Sequence, residues 1–542
     1  MMQDGGHEKC KLFYLSFIII LLLLPINLSS CKENKAPPDN PAFINSEYNN
    51  IISDKWMGIY FKGSKLGFTN SVIFEGKDGY KIISKAIIKM KALGEVQETS
   101  FSQECYLTKD LKTKGFESLN QIAGHRQKIS GVVKGDKLHM EIASAGAVSK
   151  RTIDFDNDTH LAGALELVIT KLGLTSPDPS TGLVPRPPSE GGERGGGLKV
   201  GNKYNIKIFM EPIQAIVPLQ IEIKRKEKIK ISPSPSTGEG QGEEIEKDAY
   251  YLEEKFKELS AGIWVTEDGE VIKEVSLEGL ESRKEDKDTA LKFDREIIPV
   301  SSLITFSLIK PNKDIKEPHN IKRLRLKLKN ISNPNIIIED QRQKVLSKNQ
   351  AGKFYDVEME VKNQKSEVRS QKLEEKNLEK YLEETPEIQS DNPEIKKKAE
   401  EIAGGETDVL SKALKINKWV YDYLDKKPVD TFSAVDALKS KEGECQSHSN
   451  LFAALSRASG ISTKIVAGIV YSEDYNGFLY HAWPEVYIGS TGSSGEWLAL
   501  DPTLGEKEAD ATHIKLVEGG WEEQLKLLHY IGKVGIEIIE VN

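Results

Sequence analysis

Cysteine is scarce in this chain, with four in 542 residues. A protein so long with so few cysteines is not built on a disulfide framework. A basic surplus is also missing: the formal net charge is -8, and no basic stripe interleaved with aromatics occurs. That argues against a nucleic-acid partner. The apolar run Leu12 to Leu24 is shorter than the roughly 20 residues a bilayer span needs. Hydrophobic content of 38% and charged content of 29% suit a soluble globular protein rather than a membrane bundle. What remains is length, enough for two or more domains that each bury a core.

The start of the chain reads as a targeting segment. His7, Lys9 and Lys11 form a weakly basic head before the apolar run, the layout of a signal peptide. The run closes on Leu28-Ser29-Ser30-Cys31, which resembles the lipobox of bacterial lipoproteins. That resemblance implies lipidation of Cys31 and a membrane anchor. Lys32 stands where an inner-membrane retention Asp would often sit, so an outer membrane facing the periplasm is the expected address in a cell that has one. Removal of Cys10 and lipidation of Cys31 leave Cys105 and Cys445. Cys105 sits in the alternating stretch Phe101 to Leu107 and reads as a small strand residue. A Cys105–Cys445 bridge stays open as an alternative, and it would silence Cys445 as a nucleophile.

Residues 1–31 are thus assigned to the signal segment and 32–50, with Pro37, Pro38 and Pro41, to a flexible tether. Residues 51–361 carry short alternating runs such as Lys81 to Ile88 and Arg323 to Leu328, separated by turns such as Lys77-Asp78-Gly79. This is a β-rich pattern, with a helical interruption at Leu161 to Leu172. The run Ile221 to Lys228 reads as an exposed strand edge. Unstructured inserts are expected near 174–198 and 232–246, where Ser-Pro-x-Pro-Ser-Thr-Gly occurs twice. A polar helical linker is assigned to 362–380. Helices are expected from Pro393 through Ile402, and from Asp408 to about Asp425 with Ala413, Leu414, Ile416, Trp419, Val420 and Tyr423 on the buried side.

The chemistry-bearing residues stand in three blocks: Gly443-Glu444-Cys445, His481-Ala482-Trp483-Pro484-Glu485-Val486, and Trp497-Leu498-Ala499-Leu500-Asp501-Pro502-Thr503. A cysteine is a strong nucleophile only as thiolate, so it needs a base beside it, and the base needs an orienting partner. Leu451, Phe452, Leu455 and Ala458 recur at helical spacing, which puts Cys445 near a helix N-terminus. Amides and macrodipole there favour an anion, and thiol pKa values fall from about 8.5 to roughly 3.5–7.5. In an antiparallel meander, His481 opens one strand and Asp501 closes the next, so both reach the same end of the sheet. A carboxylate there fixes the ring tautomer and stabilises the imidazolium. Trp483 shares the His481 face and reads either as lining of a cleft or as core. Glu444 reads as a solvated flank and His448 as a helix residue one turn on. Glu485 and His481 without a third ligand make a weak metal pair, and His513 reads as a surface or packing histidine.

These blocks, with Leu451 to Ile461 and the trailing Asp510-Ala511-Thr512-His513-Ile514, resemble the transglutaminase-like superfamily core. The resemblance covers residues 381–518, leaving 519–542 as a C-terminal extension. It implies an α+β, papain-like core at the C-terminal end, preceded by the β-rich region. It further implies Cys445 as the group that takes the acyl, His481 as general base and acid, and Asp501 as its partner. The shared first step is thiolate attack on an amide carbonyl, giving a thioester that an amine or water then resolves. No Asp-x-Asp-x-Asp-Gly-x5-Glu calcium loop occurs, and no cofactor or metal is implied. A protein or peptide substrate is expected, with cell-envelope proteins as further partners. A catalytically silent scaffold that binds envelope partners is the alternative.

Overall fold

The computed structural model describes residues 48–542 apart from 93–94, 123, 173–197, 232–244, 258, 268, 278–279, 294–296, 364–377, 428–430 and 490–494. The signal segment, Cys31 and most of the tether lie outside the described residues. So do nearly all of the two inserts and most of the linker. The chain divides into two compact units, with the boundary between Pro299 and Val300.

The first unit is one 15-stranded sheet, from β1 (Asn50–Phe61) to β15 (Leu280–Glu285). Strict alternation builds it. Along Gly79–Ala92, buried and partly exposed residues take turns almost without a break, which presents one apolar face per strand. Successive strands pair as antiparallel hairpins. The exception is β9 (Thr159–Leu161), which runs parallel to β10 (Lys203–Met210). A sheet of this width curls to bury its apolar face. Ile82, Cys105, Phe116, Ile129 and Met140 accordingly join Leu161, Leu167, Val168 and Phe209 in one core. The helical interruption is a short 3-10 turn followed by helix α1 (Leu165–Leu172).

The expected exposed edge at Ile221 to Lys228 holds only for its charged part. It belongs to β11 (Ala215–Ile231), which lies between β10 and β12 (Ile245–Phe256). Pairing with β10 stops at Glu222, so only the charged half of the strand lacks a neighbour on that side. Cys105 is fully buried, and neither it nor Cys445 is in a disulfide. Burial foremost, then the Glu211 and Glu104 charges, push the Cys105 thiol well above its ordinary value, which makes it inert.

The second unit is α+β, as the sequence implies. Strands β16 (Arg323–Ile331), β17 (Gln343–Ala351) and β18 (Phe354–Lys362) form a sheet completed by β25 (Gly535–Val541) from the C-terminal end. The strands expected within 51–361 therefore fall in both units. A second four-stranded sheet has the order β23 (Glu496–Ala499), β22 (Gly477–Ile488), β21 (Thr463–Ser472), β24 (Ile514–Glu518). Against it packs α5 (Cys445–Ala458), and α2 (Pro393–Ala403), α3 (Val409–Tyr423) and α4 (Ala434–Ser440) pack on α5. Asn392, Asp408 and Ser433 cap α2, α3 and α4 by accepting from backbone N–H groups of the first turn. On α3, Ala413, Ile416, Asn417 and Val420 are the buried positions.

In the first unit, burial foremost and repulsion from Glu274 next push the Glu254 carboxyl up to about 8. A carboxyl raised in the folded state binds its proton more tightly there than in the unfolded chain. The stabilisation is complete below about pH 4.5 and drains away as pH rises toward 8, at about 1.4 kcal/mol per pH unit. Glu254→Gln is therefore expected to slow amide exchange in the strands around β12 at pH 8 and to leave it unchanged near pH 4.5. Equal protection of both proteins at both pH values would contradict this account.

Candidate active site

Cys445 is the first residue of α5, and the chain before it is tightly held. Lys426-Gly443 pairing joins two short parallel segments, and a Cβ at Gly443 would stand 2.3 Å from the Ser447 Cβ. Ser447 in turn accepts from the Thr431 N–H at 2.9 Å. The N-cap residue Glu444 makes no side-chain capping hydrogen bond, unlike the caps of α2, α3 and α4. The first-turn amides of a helix have no partner within the helix itself. Glu444 is buried, which corrects the solvated flank expected from sequence; its carbonyl accepts from the His448 N–H at 3.0 Å and from His448 Nδ1 at 2.8 Å. Burial foremost pushes the His448 ring down to about 4, so it is neutral at physiological pH.

One turn after Cys445, Ser449 Oγ donates to the Ala482 carbonyl at 3.1 Å. Residues four apart share a helix face. This bond therefore seats the Cys445 face of α5 on β22 beside His481. Cys445 itself is 7% exposed.

His481 lies within β22 rather than at its start, because the strand begins at Gly477. Phe478 there exchanges both backbone hydrogen bonds with Ile309, at 2.9 Å each, an extension that local pattern did not reveal. Asp501 follows β23, and Leu500 N donates to Pro484 O at 3.0 Å, which brings the carboxylate level with the histidine. His481 Nε2 and Asp501 Oδ2 are 2.7 Å apart, with both side chains fully out of solvent. Asp501 Oδ1 accepts from the N–H groups of Thr503 and Leu504 at 2.7 and 2.9 Å. Burial works against its charge, but the attraction of His481 and hydrogen bonds from His481 and His513 outweigh it. They hold the Asp501 carboxyl well below the usual range. Asp501 thus engages the Nε2 side of the His481 ring.

His513 is neither a surface residue nor mere packing. It is fully buried, and its Nε2 lies 3.1 Å from the same Asp501 oxygen that His481 uses. Its Nδ1 lies 3.2 Å from Asp510 Oδ1, which also accepts from the Thr512 N–H and hydroxyl at 2.7 and 2.6 Å. His319 hydrogen-bonds Glu506 and stands 3.4 Å from Asp510 Oδ2. Histidines and carboxylates thus alternate from the site to a half-exposed ring at the surface. His481, Asp501 and His513 form one group of potential metal ligands among the described residues, and His319, Glu506 and Asp510 form another. The ligand atoms of both already meet as histidine–carboxylate pairs.

Trp483 is fully buried, in a core with Val466, Ala499 and Ala509. Its ring stacks on His481 at 6.1 Å and meets His513 edge-on at 5.2 Å. It therefore packs behind the base and does not line an open cleft. Glu485, farther along the same face, pairs with Lys515 at 3.1 Å and Lys464 at 3.3 Å, and so is committed to an ion cluster. The Asp510 to His513 segment was the signal in the sequence for this extension of the site. Nothing in the sequence near His319 pointed to the site.

Residues 396–502 match the family model described as Transglutaminase-like superfamily, so the second unit carries a transglutaminase-like domain. Cys445, His481 and Asp501 fall inside the match; Asp510 and His513 lie beyond it. No curated protein matches the chain. Among solved structures, a "Putative Cysteine Protease" from Cytophaga hutchinsonii is similar at 17% identity and TM-score 0.29, over 41% of this chain and 89% of that one. A "Putative Protease" from Parabacteroides distasonis has 9% identity and TM-score 0.17, over 72% of this chain and 68% of that one. A beta-barrel-like protein of a domain of unknown function from Brucella abortus has 10% identity and TM-score 0.28, covering 43% and 96%. Likeness at these TM-scores is weak, and the chemistry is assigned from the side chains instead.

Gly468 pairs with His481 across β21 and β22, and the pairing of β21 with β24 shifts register between Ala467 and Gly468. A Cβ on Gly468 would lie 1.9 Å from the Ile514 carbonyl oxygen. The missing side chain lets β24 approach and carries His513 to Asp501. Gly468→Ala is expected to displace that segment and to lower the alkylation rate of Cys445 at neutral pH by about tenfold, the loss on the order of 1.4 kcal/mol that a misplaced hydrogen-bonded group costs. Alkylation followed by peptide mass spectrometry reads this directly, and an unchanged rate would remove Gly468 from the account.

Proposed function

We propose that the chain is an exported thiol enzyme that attacks an amide carbonyl of a protein or peptide. The observation that carries this reading is the buried 2.7 Å His481–Asp501 pair, facing the N-terminus of the helix that Cys445 begins. In the first step His481 Nδ1 takes the thiol proton, and Sγ bonds to the carbonyl carbon. The oxygen of the tetrahedral intermediate carries the negative charge, which first-turn amides of α5 would stabilise. The intermediate collapses as the C–N bond breaks, His481 returns the proton to the leaving nitrogen, and a thioester remains on Cys445. An amine or water, deprotonated by the same ring, then releases the acyl group and the free thiol.

The low exposure of Cys445 favours a slender amide, such as a glutamine side chain, as the acyl donor. A glutamine-containing protein incubated with a primary amine is expected to gain the mass of the amine less ammonia, or to gain the mass change of deamidation where water resolves the thioester. Backbone cleavage would mark a peptidase. Cys445→Ala is expected to abolish whichever product forms. No product, with Cys445 alkylating no faster than a model thiol near pH 6, would sink the enzyme reading and leave a binding scaffold.

The proposed place of action is the cell envelope, with the chain anchored by lipid on Cys31 and the β-rich region available to envelope proteins. Cys31→Ala is expected to move the protein from the membrane fraction to the soluble one. Unchanged fractionation would count against the anchor.

A further inference from the structure

We propose that His319, Glu506 and Asp510 form a binding site for a divalent transition-metal ion, with zinc the best match, at the outer end of the histidine–carboxylate chain. The site is separate from the thiol chemistry, and the proposal does not depend on amide turnover.

One unmet oxygen carries it. Asp510 is 1% exposed, and no hydrogen bond reaches its Oδ2. Its Oδ1 is engaged, accepting from the Thr512 N–H and hydroxyl and lying 3.2 Å from His513 Nδ1. Oδ2 faces His319 Nδ1 at 3.4 Å. That nitrogen already hydrogen-bonds Glu506 Oε1, and it has at most one proton to give. A proton there serves one of two carboxylate oxygens, and a buried oxygen left without a partner is costly. A metal ion on the Nδ1 lone pair meets all three ligand atoms at once, and the displaced proton passes to solvent.

The ligands are held before any ion arrives. Glu506 Oε2 accepts from the Asp510 N–H at 2.8 Å, and the Glu506 backbone exchanges hydrogen bonds with Asp501 at 2.9 and 3.0 Å. Its Oε1 is left toward His319. His319 stands in a 3-10 turn, Pro318–Asn320, and the Ala511 N–H donates to the Ile321 carbonyl at 3.4 Å. Each carboxylate thus has one oxygen fixed by a backbone donor and the other turned to the same point, the support that metal ligands need. The three ligand atoms lie within 4.8 Å of one another. Ligands about 2.0–2.2 Å from a tetrahedral zinc stand about 3.4 Å apart, which matches the Nδ1–Oδ2 spacing. The shorter Nδ1–Oε1 contact opens by less than about 1 Å once the proton leaves. His319 is half-exposed, so water can take the fourth position. The group of His481, Asp501 and His513 is fully out of solvent and offers no such opening. One imidazole with two carboxylates suits zinc and its neighbours, whereas calcium and magnesium prefer oxygen alone. Bound there, the ion fixes Asp510 and, through it, the His513 ring behind Asp501.

The test uses the full chain, stripped of metal, and zinc itself as the probe. Calorimetric titration is expected to show one equivalent of zinc bound, with excess calcium or magnesium unable to displace it. His319→Ala removes a ligand from the surface without opening the core, and is expected to lower zinc affinity by about 100-fold or more. Glu506→Gln still accepts from the Asp510 N–H through its amide oxygen but loses the charge, and should weaken binding by at least about tenfold. Anomalous scattering at the zinc edge, from crystals of the unmodified protein, answers even where a variant fails to fold. A peak among His319, Glu506 and Asp510 is the expected result. A peak only at Cys445 or His481, loss of zinc to calcium, equal affinity in the parent and His319→Ala, or no zinc bound would each overturn the proposal. None of these readouts involves turnover, so failure of the acyl chemistry and failure of this site are separate results.

Discussion

A single carboxylate holds the second unit's site together. Asp501 is fully buried, and an isolated charge in that environment would be prohibitively costly. It stays ionised because four donors surround it: two backbone N–H groups from the turn that follows and two histidine rings, one within β22 and one just before β24. Each ring is oriented by the carboxylate, and the carboxylate is kept charged by the rings. Removing any one partner would leave a buried polar group unsatisfied, a loss larger than the bond's own net contribution.

That mutual dependence explains several features of the surrounding fold. β24 has to approach β21 closely enough for His513 to reach Asp501, and Gly468 makes room for it. α5 has to lie across β22 at a set height, and the Ser449–Ala482 bond provides that. Trp483 fills the space behind both histidines and excludes water, so the ion pairs act in a low-dielectric setting where they are strong. Farther along the same face, the buried Glu485, Lys515 and Lys464 form a second ion cluster with the partly exposed Glu518 and Asp340. The free thiol of Cys105 shows the contrast: equally removed from water but with only carboxylates acting on it, it is pushed toward the inert protonated form.

Much of the catalytic arrangement was legible in local sequence. A nucleophile at a helix start shows itself through the apolar spacing behind it. A histidine within an apolar alternating run and an aspartate at the end of the next run show that both belong to neighbouring strands. The alternation of the first unit's strands was equally plain. Local pattern did not reveal the start of β22, whose first residues pair with β21 on one side and meet the distant Ile309 on the other. The placement of β11 was also hidden, since a charged alternating strand looks the same at an edge and beside a neighbour that stops halfway.

By itself, then, the sequence determined which residues can carry thiol chemistry and which segments are strands or helices, while the α+β class of the C-terminal part was what the family resemblance implied. Those properties follow from residue chemistry and from periods of two and of about 3.6, which are local. Tertiary structure alone decided that His513 joins the site and that His319, Glu506 and Asp510 continue the chain of charges outward. It also decided that Trp483 is core and that β25 closes the sheet of β16. Each of these depends on segments far apart in the chain meeting in a water-free interior, and desolvation and shared hydrogen bonds act only once that interior has formed.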